Sequence, residues 1–241
     1  DYLDRLHSDY QINSIICNEE TGLQWSWERD KLVAKWCETN RIDFIEHPSN
    51  GVIRKLKTRD DWKKYRDQRI SSSLISRPEK LLAPEGCLSD AIPNMQELGL
   101  NAKQLTDRPI PGEAAAIDTL KSFLEERGRG YRKGMSSPIT GAIMCSRISP
   151  YLSAGCLTIK QAFHHTVARQ RQVKVDPRSP KYRGFTSSLT SFQSRLAWHC
   201  HFMQRLEAEA TMDEIAINPE LDELLNRKLD QRKFIAWRDG K

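Results

Sequence analysis

The sequence contains no run of about 18 apolar residues, so no segment of it predicts a membrane-spanning helix. Its 12 Gly and 11 Pro in 241 residues are too few for a collagen-like or low-complexity chain. With 38% hydrophobic residues, the chain can bury a core and form one large or two small domains. The net charge of only +6 is a mild indication of an anionic partner, with nucleic acid the first candidate.

The six cysteines include no CxxC pair, so the sequence offers neither a zinc nor an iron–sulfur ligand set with close local spacing. We expect reduced, mostly buried thiols and no metal. Without a secretion signal, the predicted location is the cytoplasm, or the nucleus or an organelle in a eukaryote. The chain begins at Asp1 without Met and stops at Lys241 after a helix-like run, so we expect a fragment of a longer protein.

The first 70 residues alternate between patterns typical of strands and helices. Residues 12–17 and 43–47 are short β-branched or apolar runs, and residues 27–39 between them have apolar positions at helical spacing. Strand, helix and strand joined by short loops favour a parallel sheet in an α/β layer. Because a complete layer needs more strands, the domain is expected to lack its beginning.

A proline-punctuated stretch at 71–111 shows little periodicity and is predicted to be an interdomain linker. After it the pattern is helical, with helices expected at 113–126, 153–167 and 189–208. We therefore expect an all-α domain over 112–241.

A hydroxyl-bearing turn is expected before one of these helices. Ser146 and Ser149 are three residues apart, Arg147 lies between them, and Pro150 suits the first turn of a helix capped by Ser149. Free backbone N–H groups, hydroxyls and a guanidinium could hold a pyrophosphate. The alternative is an ordinary capped helix start.

A second cluster combines aromatic and basic residues on the last predicted helix. Helical spacing places Arg195, Trp198, His199 and Phe202 on or near one face, where an aromatic ring could stack on a base. The alternative is a core-packed Trp198 with a solvated Arg195. His199 and His201 diverge on a helix and make a poor metal pair.

A third cluster is the basic stretch 169–183, which would attract phosphates if it formed a loop beside a groove. A solvated charged loop is the alternative. Its cations are Arg169, Arg171, Lys174, Arg178, Lys181 and Arg183.

Taken in order, several segments resemble the photolyase/cryptochrome flavoproteins. The stretches 20–30, 51–54 and 59–62 look like the latter half of that family's antenna domain, and 111–124 looks like the entry helix of its flavin domain. Residues 145–152 (CSRISPYL) resemble its TSxLSPYL flavin-phosphate segment, 196–198 its ELxWRE helix, and 236–241 (AWRDGK) its AWxxGK motif.

The resemblance implies a partial Rossmann-like α/β antenna domain over 1–70, the linker, and the first part of a helical FAD-binding domain over 112–241. Members use blue light and reduced FAD to split pyrimidine dimers in DNA, acting as carbon–carbon lyases on a flipped lesion. A second, antenna chromophore of the folate, deazaflavin or lumazine type is also implied. By analogy, the residues contacting FAD would be Tyr131, Cys145, Ser146, Arg147, Ile148, Ser149 and Phe192, and those facing the lesion would be Arg195, Trp198 and His199.

Three departures from the family pattern bear on repair. Arg195 stands where repair members carry a Glu that hydrogen-bonds the dimer, and a guanidinium cannot accept a hydrogen bond. His199 and Cys200 replace the Arg and Glu that follow the Trp, and Cys145 replaces a Thr. The alternative function is therefore a cryptochrome-type blue-light receptor without lyase activity. A third hypothesis, independent of the resemblance, is a nucleotide-binding α/β domain with a helical regulatory module.

Overall fold

The amino-terminal strands pair in parallel, as their sequence predicts. In the computed structural model the residues described are 2–86, 91–100, 108–175, 179, 182–225 and 228–241. Strand β1 (Ser14–Asn18) lies beside β2 (Asp43–His47), with Ser14 opposite Asp43, and the 17-residue helix α2 (Gln24–Asn40) connects them. This two-stranded sheet is compatible with a partial α/β layer, while a Rossmann-like domain remains a prediction.

Helices dominate the rest of the described chain. Besides α2, the α-helices are α1 (Tyr2–Tyr10), α3 (Trp62–Ser71), α4 (Glu113–Glu125), α5 (Tyr131–Gly134), α6 (Pro138–Met144), α7 (Ser149–Ser153), α8 (Ile159–Val175), α9 (Phe185–Ala208), α10 (Asp222–Leu225) and α11 (Gln231–Arg238). Short 3₁₀ turns occur at Arg127–Gly130, Ala210–Asp213 and Pro219–Leu221. Among the described helices, none combines the length and the apolar character that crossing a membrane requires.

The core lies where α8 and α9 pack together and against α4 and α5. Phe123, Phe185 and Leu189 are fully buried there, and Ile70 brings α3 into the same cluster. The apolar spacing of α4 and α9 explains this arrangement, because positions three and four apart share one helix face. The predicted helix at 113–126 is thus confirmed, and the one at 189–208 begins four residues earlier than expected, at Phe185.

The helix expected at 153–167 is wrong in its bounds. Gly155 adopts a left-handed backbone conformation with φ of +71°, which ends α7 and separates it from α8. Helix α8 then runs from Ile159 to Val175. At its start the Thr158 N–H donates to the Gln161 side-chain oxygen, and the Gln161 N–H donates to the Thr158 hydroxyl. The expected helix therefore merged two elements that a turn divides.

Ser71, the first residue of the predicted linker, belongs to α3. The rest of its described part, 72–86, 91–100 and 108–111, forms turns and irregular backbone with exposed side chains. Residues 87–90 and 101–107 of that prediction lie outside the described residues. The division at 71–111 remains a prediction.

The loop after β2 is held on the carboxyl-terminal half of α9 by a buried glutamine. Gln204, only 2% exposed, accepts a hydrogen bond from the Ile53 N–H (2.7 Å) and donates one to the Ile53 carbonyl (3.0 Å). Gly51 permits the close approach, since a Cβ there would lie 2.8 Å from the Cys200 sulfur. These contacts fix α9 relative to the amino-terminal strands, and α9 carries part of the candidate site.

Candidate functional site

Three aromatic rings, those of Phe123, Tyr131 and Phe192, pack together, and the last two are predicted flavin contacts. Phe123 lies 4.6 Å from Phe192 between ring centroids, and Tyr131 meets both edge-to-face at 5.4 and 5.8 Å. Such arrangements match the quadrupoles of aromatic rings. Phe192 is 3% exposed and Tyr131 7%, so both side chains pack in the core at this face.

The predicted phosphate turn follows α6 and ends at α7. Arg147 is exposed and adopts a left-handed conformation with φ of +62°, while Ile148 beside it is buried. The expected Ser149 cap is wrong, because α7 begins at Ser149 and its cap residue is Ile148, without a side-chain cap hydrogen bond. Pro150 does lie in the first turn. The Ser149 side chain is exposed and does not cap α7.

Arg127, which the sequence analysis missed, holds this turn in place. Its guanidinium donates to the carbonyls of Cys145 (2.7 Å), Ile143 (3.1 Å) and Ser146 (3.2 Å). Two further bonds reach back to α4, at 3.1 Å each, to the Thr119 carbonyl and the Ser122 hydroxyl. Burial, and then the positive charge of Arg147, lower the pKa of Arg127.

The aromatic and basic cluster on α9 is partly as predicted. The Arg195 guanidinium carbon lies 3.9 Å from the centroid of the Trp198 ring, and Trp198 meets Phe202 edge-to-face at 6.3 Å. Trp198 is 50% exposed and Phe202 61%. The core-packed Trp198 of the alternative interpretation is therefore wrong, because half of the indole is accessible to a ligand.

Tyr131 is influenced by one residue of the turn and by one residue of the α9 pair. Burial is the largest cause that raises the pKa of Tyr131; the electrostatic interaction with Cys145 raises it further, and the Arg195 guanidinium opposes the rise. Tyr131 is thus within electrostatic range of residues from both segments. Among the described residues, Arg195 makes no hydrogen bond or ion pair, so its donors are free for an anion.

His199 is less exposed than Trp198 and Phe202. Its Nδ1 atom is buried without a hydrogen-bond partner among the described residues, and burial lowers its pKa below the usual 6.5. The predicted lesion-facing role of His199 stays untested. No group of three or more potential metal ligands occurs among the residues described.

Acid should destabilise the protein through His199. The folded state lowers the pKa of His199, whereas the unfolded imidazole protonates near pH 6.5. This contribution to stability is therefore fully present above about pH 6.5 and is lost as the pH falls from there through the lower pKa of the folded state. We expect His199→Gln to flatten the decline in the urea midpoint between about pH 7.5 and 5.5. The exposed His165→Gln is the matched control, and an unchanged slope in the His199 variant would contradict this account.

The first part of the basic stretch at 169–183 is helical and not a loop. Residues up to Val175 belong to α8, and Arg169 donates to the Leu124 carbonyl at 2.9 Å while lying over the rings of Tyr182 and Phe185. Arg178 and Lys181 lie outside the described residues. Arg169 therefore stabilises packing and is not free to bind phosphate.

The described cysteines carry free thiols. Cys37 and Cys200 are buried, whereas Cys17, Cys145 and Cys156 are partly accessible. Cys87 lies outside the part of the chain that the structure describes. The expectation of mostly buried thiols is thus met at two of five described positions.

Comparison with known proteins supports the resemblance seen in the sequence. No protein-family model matches the chain. A deoxyribodipyrimidine photo-lyase of Agrobacterium fabrum is 26% identical over 139 residues, which are 58% of this chain and 26% of that protein. A cryptochrome DASH of Natronomonas pharaonis is 25% identical over 154 residues, covering 60% of this chain and 31% of that protein. The matched segments cover less than a third of each relative's length.

Proposed function

We propose that this chain is part of a blue-light-driven, FAD-dependent enzyme that repairs pyrimidine dimers in DNA. The observation that carries the proposal is the half-exposed Trp198 with the Arg195 guanidinium 3.9 Å from its ring centroid. Arg195 also acts electrostatically on Tyr131. An aromatic ring beside a free cation suits a nucleobase and its phosphates. The likeness to a photo-lyase and a cryptochrome DASH adds independent support.

The residues of this region fit an anionic dinucleotide. Arg147 and Ser149 are exposed on the turn, and Ser146 is half-buried between Arg147 and Cys145, so cations and hydroxyls are available for a diphosphate. Arg195 offers further donors. FAD, when bound, supplies a light-excited electron donor. Ile148 and Phe192 are buried and support the site from within the core.

The chain's own residues then have distinct tasks. Trp198 stacks on a base that has left the duplex, and Arg195 binds a phosphate or ribose oxygen because it can only donate hydrogen bonds. Tyr131 closes the site toward the aromatic core. A second antenna chromophore belongs to this proposal as a family property only.

The competing function is a cryptochrome-type blue-light receptor, and Arg195 is the observation that favours it. A Glu at this position accepts hydrogen bonds from a dimer, whereas Arg195 cannot. The two functions differ in what the intact protein does to damaged DNA under blue light.

A light-minus-dark assay on dimer-containing DNA with the intact protein separates them. For the repair enzyme we expect dimers to disappear only in blue light, and Trp198→Ala to slow repair by about tenfold through lost base stacking. A receptor would give a different result. The wild-type protein would show no repair, and the Arg195→Glu variant would gain light-dependent repair. Tyr2→Ala, a similarly large aromatic truncation on exposed α1, is the control and should leave the rate unchanged.

A further inference from the structure

A cavity of about 750 Å³ lies outside the candidate flavin site, between the loop at 53–58 and helix α3. Its wall includes the cations Lys55, Lys57 and Arg69, the ring of Tyr65 and the side chain of Leu56, against one carboxylate, Asp61. This volume falls within the range of pockets that hold small organic ligands. The excess of positive charge indicates an anion.

The loop that forms one wall is fixed in place. Gln204 bonds both backbone groups of Ile53, and Glu207 accepts a hydrogen bond from the Lys55 N–H at 3.4 Å. Lys55 is held in a left-handed conformation with φ of +56°. Because these contacts act on the backbone, they leave the Lys55 ammonium unused.

The cations differ in how many of their donors already bind other groups of the protein. Arg54 also lines the cavity, but its guanidinium pairs with Glu46 at 2.8 Å and lies over Trp27, so we do not count it. Lys55 and Lys57 form no ion pair with any residue in the described ranges. Arg69 uses Nη1 on the Val52 carbonyl and keeps its other donors.

We propose that this cavity binds a nucleoside phosphate, with Lys55, Lys57 and Arg69 on the phosphate and Tyr65 against the base. Tyr65 is 43% exposed on the cavity wall, which leaves a ring face for stacking. Lysine and arginine side chains are the usual protein partners of phosphate oxygens. The site is separate from the proposed flavin site and does not depend on the proposed function.

Calorimetric titration of the intact protein with ADP tests the site. Saturating FAD is kept in the cell, so that the ADP-like half of a flavin site is filled. We expect a dissociation constant for ADP below about 1 mM. Lys57→Glu and Tyr65→Ala should each raise this constant about tenfold. Lys64→Glu makes the same charge change on α3 at a position that does not line the cavity, and should leave the affinity within about twofold.

Two competitors distinguish a free nucleotide from a nucleotide that belongs to a nucleic-acid strand. Pyrophosphate should compete with ADP, and a short single-stranded oligonucleotide should compete only if the cavity takes a nucleotide from a strand. Absence of ADP binding at about 1 mM would overturn the proposal, as would equal weakening by Lys57→Glu and Lys64→Glu. Unchanged FAD content in Lys57→Glu and Tyr65→Ala keeps this result distinct from any failure of the flavin site.

Discussion

Replacing Arg127 with alanine should lower the free energy of unfolding by about 2–4 kcal/mol, because several carbonyls lose their hydrogen-bond donor in a partly buried site. The guanidinium makes five hydrogen bonds, four of them to backbone carbonyls that belong to two separate segments. Lysine cannot replace it, since an ammonium is a point donor without the planar fork. Urea unfolding measures the loss, and Arg127→Lys should recover little of it.

The same substitution should also reduce flavin retention in the intact protein. Arg127 positions the turn through the carbonyls of Cys145 and Ser146, and the proposed ligand contacts lie on that turn. Arg132→Ala, at an exposed arginine on α5, should change neither property. Arg127→Ala protein that unfolds like wild type would show that the five hydrogen bonds do not hold the turn.

Replacing Gln204 with methionine should also lower the free energy of unfolding by about 2–4 kcal/mol, because two backbone groups of Ile53 lose their hydrogen-bond partner. Methionine conserves the length of the side chain, so the change removes hydrogen bonding with little change in volume. The exposed Gln231→Met, at the start of α11, is the control.

Hydrogen exchange gives the sharper readout for Gln204. The Ile53 amide donates to Gln204 Oε1 at 2.7 Å, so its protection should fall selectively in the Gln204→Met variant. Strand β2 should keep its protection, because its pairing with β1 does not involve Gln204. Unchanged Ile53 protection would mean that the loop is held on α9 by other contacts.

Local patterns predicted the elements whose apolar residues share one face. Helix α4 differs from its expected bounds by one residue, because its buried residues Ala116, Leu120, Phe123 and Leu124 follow helical spacing. Strand β2 matches its expected bounds, although none of its residues is fully buried. Helix α1 buries none of its residues. Helix α3 is rich in charge, shows little apolar periodicity and buries only Arg66 and Ile70. The sequence analysis did not predict these two helices.

Long-range contacts escaped prediction for a different reason. Arg127 reaches carbonyls 16 to 19 residues away, and Gln204 bonds Ile53 across 151 positions. No spacing rule connects such residues before the fold is known. The adjacency of Arg195 and Trp198 was predictable, because residues three apart on a helix are neighbours.

The central claim is that the 145–149 turn and Tyr131 hold FAD beside the Arg195–Trp198 pair. Its most direct test is the absorbance spectrum of the intact protein purified in the dark, with the released flavin identified by chromatography. We predict flavin bands corresponding to about one FAD per chain, and a marked loss of them in Arg147→Ala, because the diphosphate loses a charge-assisted donor on the turn. Intact protein that carries no flavin, and binds none when FAD is added, would contradict the account.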